Sequence, residues 1–579
     1  MPAFPYLRLG ALLTALWLLP AGAQTPDQPE ASSGFVPRPA VHAREGMAVT
    51  ANPHATAVAL EVLRAGGSAV DAAIAAALVL NVVEPQSSGI GGGAFLLHYR
   101  AEDRSVQAWD GREAAPAAVD EGLFLRPDGG RMGFHDAAVG GRAVGVPGLL
   151  RMLAAVHAEH GRLPWSRLVM PAVRLAEDGF AVSPRLHELI ARDRFLAADP
   201  QARALFFDAQ GRALAVGSML RNPALAAVLR QVAEEGAEAF YRGAIARDVV
   251  AAATAAPNPG SLSLQDLAAW RPIRREALCG GYRSWTVCGM PPPSSGGGTV
   301  LAMLGILERF PLPALAADSA FSTHLFVEAG RLAFADRDAW YADPRAMPVA
   351  PASLLAGEYL AGRAARIDPR ASMGRAEAGT PPGAGRAARA VHLERPSTTH
   401  VSIVDRDGNA VALTASIEDA FGSRRMVRGF LLNNQLTDFS FQPEDARGAH
   451  PNRVGPGKRP RSSMAPTLVF ARDGSLHAVL GSPGGSAIIN YVAATLVGVL
   501  DWGMPPDRAL SRPHAGSRNG PTEVEDSPAG RALADRLALF GHEAVLRDMT
   551  SGLSVIVRSD DGGWTGAADP RREGVAAGY

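Results

Sequence analysis

The chain has 579 residues, of which 47% are apolar, so it can bury a large core and is too hydrophobic for general disorder. Lysine plus arginine and aspartate plus glutamate both number 57, which excludes the strongly basic surface of proteins that bind nucleic acids or anionic membranes. Its two cysteines exclude a disulfide scaffold and a cysteine-rich zinc site. A small or neutral ligand is therefore the expected partner.

The N-terminus has the pattern of a secretory signal peptide. Arg8 is followed by an apolar stretch from Leu9 to Leu19 and then by small residues that end at Ala23. We predict cleavage after Ala23 and a mature protein that is periplasmic or secreted. The apolar stretch is too short to span a bilayer well, so membrane insertion is not expected after its removal. An uncleaved anchor is the alternative.

The first part of the mature chain is predicted to be rich in helices. Helical apolar spacing occurs in Ala55 to Arg64, Ala69 to Val82, Leu149 to His157, Trp165 to Asp178, Pro223 to Glu235 and Ser319 to Asp338. The run from Gly89 to Ala94 matches a loose dinucleotide-binding pattern, but a helix precedes it and a strand follows it. That order is the reverse of what such a motif needs, so we predict no nucleotide cofactor. The histidines are scattered along the chain, so we predict no metal site.

Cys279 and Cys288 flank a predicted hairpin turn, and the sequence leaves open whether they form a disulfide.

An abrupt change of character occurs at Pro396-Ser397-Thr398-Thr399-His400. The preceding tract, Ala371 to Ala390, is rich in Ala, Gly, Arg and Pro and predicts a flexible linker. The following segments, His400 to Asp405 and Ala410 to Ser416, alternate around an Asp-Gly turn and predict a hairpin. Cleavage before Thr398 would place a hydroxyl and a free α-amine on one residue, which suffices for nucleophilic catalysis. By themselves, these residues are more simply explained as a loop before a strand.

The rest of the chain is predicted to consist of hairpins with interleaved helices. Further strands are predicted at Thr467 to Phe470, Leu476 to Leu480 and Ser554 to Val557, and helices at Ser486 to Leu500 and Gly530 to Phe540. Paired antiparallel strands with amphipathic helices predict a layered α+β fold. The loop from Gly481 to Ser486 joins a strand to a helix. Its glycine N–H groups could bind a negative oxygen, or the glycines could only form a tight turn, and the loop alone leaves both interpretations open.

Seven segments together resemble the γ-glutamyltransferases (γ-glutamyl transpeptidases), which are N-terminal nucleophile hydrolases. These segments are Arg112-Glu113-x-x-Pro116, Met290 to Gly297, Thr398 to His400, Leu432 to Phe439, Lys458 to Met464, Gly481 to Gly485 and Ala577 to Tyr579. They stand in the family's order and span nearly the whole mature chain. The resemblance implies a four-layer αββα sandwich formed jointly by two subunits of one precursor.

The resemblance also implies self-cleavage between Ser397 and Thr398. The large subunit would comprise residues 24–397, with a mobile linker at about 371–397, and the small subunit residues 398–579. The two would stay associated as a heterodimer. By resemblance, the Thr398 hydroxyl is the nucleophile, its freed amine is the general base, Ser416 supplies a second hydroxyl, and the N–H groups of Gly484 and Gly485 form an oxyanion hole.

The substrate's amino-acid end would be held by charged and polar side chains. The matching residues are Arg112, Ser462 and Ser463 for the α-carboxylate, and Gln435 and Asp438 for the α-ammonium group. An aspartate at 438 favours γ-glutamyl substrates. The acylases of this superfamily that take glutaryl groups, which have no α-amine, resemble this site but have Asn at the corresponding position. Glu418 departs from the pattern, since many bacterial members have Asn at this position. A second carboxylate could still bind an ammonium group and would raise the pKa of the amine base.

The predicted function is therefore a self-processing γ-glutamyl hydrolase/transferase acting on glutathione and its conjugates. Two alternatives remain open. A glutaryl- or cephalosporin-type amide acylase is favoured by Glu418 and by a connection between Asp438 and Ser462 that contains no Tyr or Trp. An uncut periplasmic binding protein would need no nucleophile, and the presence of Thr398, Ser416 and the Gly484-Gly485 pair argues against it.

Overall fold

The computed structural model describes residues 32–385 and 397–579. The predicted signal peptide and residues 386–396 of the predicted linker lie outside the described residues. Within these two ranges, none of the helices is long and apolar enough to cross a membrane.

Two seven-stranded antiparallel sheets form the centre of the molecule. In spatial order, the first sheet contains Val575–Gly578, Met47–Thr50, Thr399–Val404, Ala410–Ser416, Gly93–Arg100, Ser105–Gly111 and Ile273–Glu276. The second sheet contains Val41–Ala43, Trp564–Ala568, Ser554–Arg558, Leu476–Gly481, Thr467–Phe470, Trp285–Gly289 and Leu278–Tyr282. Both sheets combine strands from the two sides of residue 398, so neither predicted subunit contains a complete sheet.

The hairpin that follows Thr398 lies in the middle of the first sheet. Its strands pair from Thr399 opposite Ala415 to Val404 opposite Ala410. The connecting turn is built by Asp405, whose carboxylate accepts hydrogen bonds from the backbone N–H groups of residues 407 and 409. Every residue of both strands is buried. The predicted nucleophile therefore stands directly before a central, buried strand.

Helices cover the outer face of each sheet. Pro53–Arg64, Ala69–Val83, Leu149–His160, Trp165–Asp178 and Pro223–Glu235 share one apolar core with the first sheet, and Gly296–Leu307, Ala320–Trp340 and Ile488–Leu500 share another with the second. The helix Ala69–Val83 begins with a reciprocal capping box between Ser68 and Asp71. All its residues are buried, and its many alanines allow close packing. The predicted four-layer αββα sandwich is confirmed.

Shorter elements complete the described chain. The helices are Phe134–Ala138, Pro184–Arg192, Pro200–Phe206, Glu238–Tyr241, Gly243–Thr254, Leu264–Ala269, Pro351–Leu354, Gly357–Ala364, Pro506–Ser511 and Pro528–Ala538. Single 3₁₀ turns occur at Leu196–Ala198, Leu312–Ala314, Gln435–Asp438 and Gly485–Ala487. Small ribbons pair Phe180–Ala181 with Met219–Leu220, Met426–Val427 with Phe430–Leu431, and Glu444–Asp445 with Gly448–Ala449; Ala515–Gly516, Thr522–Glu525 and Ala544–Arg547 form a small sheet.

The structure answers one question that the sequence left open and describes part of the predicted linker. Cys279 and Cys288 are disulfide-bonded across the hairpin formed by Leu278–Tyr282 and Trp285–Gly289. Part of the predicted linker is anchored, because Ser372 and Met373 donate hydrogen bonds to the carboxylate of Glu328 at 2.8 Å. The subunit boundaries at 23 and 397 remain predictions.

Candidate active site

One small cavity brings together nearly all the site residues predicted from the sequence. Its lining includes Arg112, Thr398, Ser416, Glu418, Gln435, Asp438, Ser462, Ser463 and Gly485, with Met464 and Ile488. Gly484 is adjacent in the chain but does not line the cavity. The cavity volume is about 20 Å³, which holds about one water molecule. A ligand of more than a few atoms does not fit this cavity in its present shape.

The two sheets meet closely beside this cavity. Gly481 ends the second-sheet strand that leads into the glycine loop, and a Cβ atom there would lie 2.2 Å from His400 Cε1. Only glycine can occupy this position without moving His400. Burial lowers the pKa of His400 to about 3, which favours the neutral imidazole.

The predicted scissile bond is held on both sides by hydrogen bonds. The Ser397 hydroxyl donates to the carbonyl oxygen of Gln86 at 2.6 Å, and the Ser416 hydroxyl donates to the Ser397 carbonyl oxygen at 2.7 Å. Arg572 donates to the Thr398 carbonyl oxygen at 3.3 Å. The carbonyl that Thr398 Oγ would attack is thus already hydrogen-bonded to a hydroxyl on the neighbouring strand.

A buried carboxylate that the sequence analysis did not identify lies behind this junction. Glu84, at the end of the helix Ala69–Val83, accepts a hydrogen bond from the Thr399 hydroxyl at 3.1 Å. Its other oxygen faces Arg185 at 3.3 Å. Burial raises the pKa of Glu84, and Arg185 and Arg572 oppose this rise. The sequence does contain a signal for this residue, because Glu84 directly follows an apolar helix. A charged side chain is rarely buried in such a place unless it has a partner.

The glycine loop has the backbone geometry of a tight turn. Gly484 and Gly485 both have positive φ, 132° and 55°, and a Cβ atom on Gly484 would lie 2.7 Å from the ring of Tyr491. Glycine is therefore required on structural grounds alone. The loop continues through a 3₁₀ turn into the helix Ile488–Leu500, an arrangement that suits N–H groups for binding a negative oxygen.

An arginine and an aspartate form a buried ion pair at the side of the cavity. The guanidinium of Arg112 pairs with the carboxylate of Asp438, and the two side chains are 1% and 9% exposed. Arg112 also donates to the carbonyl oxygens of Pro460 at 3.2 Å and Arg461 at 2.9 Å. Gln435 donates to the same Asp438 oxygen at 2.8 Å. Both charges are thus held in fixed positions by neutral groups around them.

The two predicted serines are held by a segment from the other side of residue 398. Ser462 N–H donates to the Pro293 carbonyl oxygen at 3.0 Å, and Ser295 N–H donates to the Ser462 carbonyl oxygen at 2.7 Å. Arg337 donates to the Ser463 hydroxyl at 2.6 Å and to the Ser295 hydroxyl at 2.8 Å. Arg337, from a long helix, is a second residue that sequence reasoning missed, because nothing local marks it.

Glu418 combines a strained backbone conformation with a buried carboxyl group. Its φ is 82°, a left-handed conformation that costs a non-glycine residue about 1–2 kcal/mol. Its carboxylate accepts a hydrogen bond from Asn434 through one oxygen, while the other has no hydrogen-bond partner within the described ranges. Burial, followed by the charges of Asp438 and Asp419, raises the pKa of Glu418 well above its usual value. Burial and the neighbouring carboxylates therefore favour the neutral form of Glu418.

A separate cluster has the composition of a metal site. Among the described residues, potential ligand atoms of His324, Glu328 and His542 lie within 4.8 Å of one another. A hydrogen-bond network already engages this cluster: the facing imidazole nitrogens are 2.8 Å apart, and Glu328 accepts from Arg331 at 2.9 Å. The cluster shares no residue with the cavity around Thr398. It has the contacts of a packed structural network.

Comparisons with known proteins identify the family. The sequence model of the family described as gamma-glutamyltranspeptidase matches residues 55–579. The chain is 34% identical to the glutathione hydrolase proenzyme of Escherichia coli (strain K12), covering 96% of both chains. It is also 34% identical to the acylase ACY 1 proenzyme of Pseudomonas sp. (strain V22), over 93% of this chain and 94% of that protein.

A solved structure supports the same assignment. The cephalosporin acylase of Bacillus halodurans superimposes with a TM-score of 0.82 at 28% identity, covering 97% of this chain and 99% of that one. The chain belongs to the gamma-glutamyltranspeptidase family, and it is an enzyme of the glutathione hydrolase type that has the N-terminal nucleophile hydrolase fold.

Proposed function

We propose that this family member cleaves itself before Thr398 and then hydrolyses or transfers γ-glutamyl groups through a Thr398 acyl-enzyme. The observation that carries the proposal is the buried Arg112–Asp438 ion pair, which lines the same small cavity as Thr398. An α-amino acid brings one carboxylate and one ammonium group. Such a substrate can separate the pair and give each buried charge a new partner of opposite sign.

Self-cleavage would begin with attack of Thr398 Oγ on the Ser397 carbonyl carbon. The hydroxyl proton passes to the Thr398 nitrogen as the peptide bond breaks, which leaves an ester between the two residues. Ser416, which donates to that carbonyl oxygen at 2.7 Å, would stabilise the negative charge that develops there. Water then hydrolyses the ester and releases a Ser397 carboxylate and a free Thr398 α-amine.

The mature reaction would use the same oxygen. Thr398 Oγ attacks the substrate's γ-carbonyl carbon, and the Thr398 α-amine accepts the hydroxyl proton and passes it to the leaving amine. The N–H groups of Gly484 and Gly485 would bind the oxyanion. Water or an acceptor amine then attacks the ester, which releases glutamate or a new γ-glutamyl amide and restores the hydroxyl.

Substrate recognition would divide between the two charges of the ion pair. Arg112, with the Ser462 and Ser463 hydroxyls, would hold the α-carboxylate, since a guanidinium fork matches carboxylate geometry. Asp438, held by Gln435, would hold the α-ammonium group. Glutathione is the proposed donor, in keeping with the name of the Escherichia coli relative.

A glutaryl- or cephalosporin-type acylase is the second candidate. The observation that favours it is the buried position of Glu418, which raises the pKa of its carboxyl group. A neutral carboxyl group at this position suits a substrate that has no ammonium group. Relatives and a solved structure that carry acylase names match nearly the whole chain. In this candidate, Arg112 would keep its role, because a glutaryl group retains the carboxylate.

Denaturing gels and two chromogenic substrates test the proposal. Purified protein should give two bands, with the smaller one starting at Thr398 by terminal sequencing, and Thr398→Ala should stay full-length. A wild-type protein that remains uncut would refute the self-processing step. Among processed preparations, γ-glutamyl-p-nitroanilide should be turned over faster than glutaryl-p-nitroanilide, and the reverse preference would support the acylase.

A further inference from the structure

A second, larger cavity lies among the helices that cover the second sheet. Its volume is about 350 Å³, within the range of roughly 300–1,000 Å³ typical of small-molecule sites. Its walls are the helices Ala320–Trp340, Ile488–Leu500 and Pro528–Ala538, with the connection formed by residues 506–515. One wall comes from the predicted large subunit and the others come from the predicted small subunit. The cavity shares no lining residue with the site around Thr398.

The inner part of this cavity is apolar and well fixed. Leu312, Phe326, Val497 and Leu533 are all less than 10% exposed. Trp502 completes the lining, and its indole N–H donates to the carbonyl oxygen of Leu312 at 3.0 Å. Such a surface would bury the hydrocarbon part of a ligand favourably. Because its largest side chain is held by hydrogen bonds, little ordering is needed on binding.

The lining of the cavity carries more positive than negative charge. Three arginines line it, and Arg512 is already paired with Asp318 at 3.0 Å. Arg508 and Arg536 are exposed, and neither forms an ion pair with any residue in the described ranges. Arg536 donates one hydrogen bond, to the carbonyl oxygen one helical turn earlier. Two guanidinium groups are therefore available to an anion that enters from solvent.

We propose that this cavity is a second ligand site, which binds a small carboxylate with an apolar body. The body would lie against Leu312, Val497 and Leu533, and the carboxylate would be bound by Arg508 and Arg536, whose planar donors suit a carboxylate. Such a ligand would contact both predicted subunits.

Occupancy of this site has a direct route to the catalytic loop. His514 lines the cavity, and its ring centroid lies 4.4 Å from that of Tyr491. Tyr491 in turn packs against Gly484, leaving no room for a Cβ atom there. The helix Ile488–Leu500 also begins at the glycine loop and lines the cavity at Ala494, Thr495 and Val497. A ligand that shifts His514 or this helix would change the geometry of the loop.

Calorimetric titration of the processed enzyme with octanoate tests the binding site. We expect one site for octanoate and at least tenfold weaker binding of octan-1-ol, which has the same chain length without the charge. The surface double variant Arg508→Gln/Arg536→Gln should bind octanoate at least tenfold more weakly and octan-1-ol unchanged. Leu533→Trp, which fills the cavity, should abolish binding of both. Arg112→Gln serves as the control and should bind octanoate like the wild type.

Several results would overturn the proposal. These are no binding of millimolar octanoate, equal binding of octan-1-ol, or unchanged affinity in the double arginine variant. Loss of binding in Arg112→Gln would place octanoate in the catalytic cavity and would equally refute a second site.

A kinetic measurement tests the coupling to the catalytic loop. Saturating octanoate should change kcat in the wild type but not in the double arginine variant, and an unchanged wild-type kcat would refute the coupling. Because the titrations need no turnover, the binding site can fail or succeed independently of the proposed reaction.

Discussion

Asp438→Asn is the substitution that most directly tests how this site recognises its substrate. The change keeps the size of the side chain and removes one negative charge from a buried ion pair with Arg112. A γ-glutamyl substrate would lose the partner of its α-ammonium group. A glutaryl substrate has no ammonium group and would still place its carboxylate on Arg112.

The magnitude follows from the burial of the pair. Truncating one partner of a buried, hydrogen-bonded charge pair typically costs about 2–5 kcal/mol. With about 1.4 kcal/mol for each factor of ten, kcat/KM for γ-glutamyl-p-nitroanilide should fall roughly 30- to 4,000-fold. For glutaryl-p-nitroanilide, kcat/KM should stay constant or rise, because the substrate carboxylate no longer approaches a second buried carboxylate.

The assay compares initial rates of p-nitroaniline release from both substrates with fully processed enzyme. Asp445→Asn is a matched control, because it makes the same chemical change at an exposed position of the same connection. A parallel fall with both substrates would refute the reasoning. It would mean that Asp438 only holds Arg112 in place and does not itself bind the ammonium group.

Three further predictions concern the active site and its buried surroundings. Ser416→Ala removes the hydroxyl that donates to the scissile carbonyl, so self-cleavage followed on gels should slow roughly 10²- to 10³-fold. Ser416→Thr keeps a hydroxyl and should cleave at the normal rate. Equal cleavage rates for Ser416→Ala and the wild type would exclude this role. Glu84→Gln should lower the free energy of unfolding by about 3 kcal/mol in urea titrations, because it removes one charge from the buried Glu84–Arg185 pair. Thr399→Val, which removes only a neutral hydroxyl, should cost about 1 kcal/mol, and a larger loss than for Glu84→Gln would contradict this ranking. Burial raises the pKa of Glu113 to about 8. The folded state therefore binds a proton that the unfolded state releases near pH 4.5, and stability falls with rising pH in this window by up to about 1.4 kcal/mol per pH unit. Glu113→Gln should remove this slope in urea midpoints measured from pH 5 to 8, and an unchanged slope would assign it to other groups.

Local structure was predictable because it depends on neighbours in the chain. The helices Trp165–Asp178 and Pro223–Glu235 have the bounds predicted from apolar spacing, and the hairpin after Thr398 has the predicted strands within one residue. The glycine loop was correctly predicted to join a strand to a helix. The loop's need for glycine also depends on the ring of Tyr491, which the packing of the following helix places against Gly484.

Burial, by contrast, altered the meaning of several predicted residues. Glu418 was visible in the sequence as a departure from a family pattern. Only the structure places its carboxylate in a fully buried position near Asp438 and Asp419, where its pKa is strongly raised. A titration shift depends on the surrounding dielectric and on charges from distant segments, so composition and spacing cannot supply it.

The sequence by itself determined the elements of this protein, the order of its family segments and the residue proposed as nucleophile. The elements depend on side chains close together in the chain, whereas the nucleophile was assigned from the whole ordered set of family segments. The tertiary structure decided which of those segments share a site. Arg112 meets Asp438 across 326 residues, and Glu84 reaches Thr399 across 315. Such partners are chosen by the stacking of two sheets and by the cost of burying an unpaired charge, and both are properties of the folded chain alone.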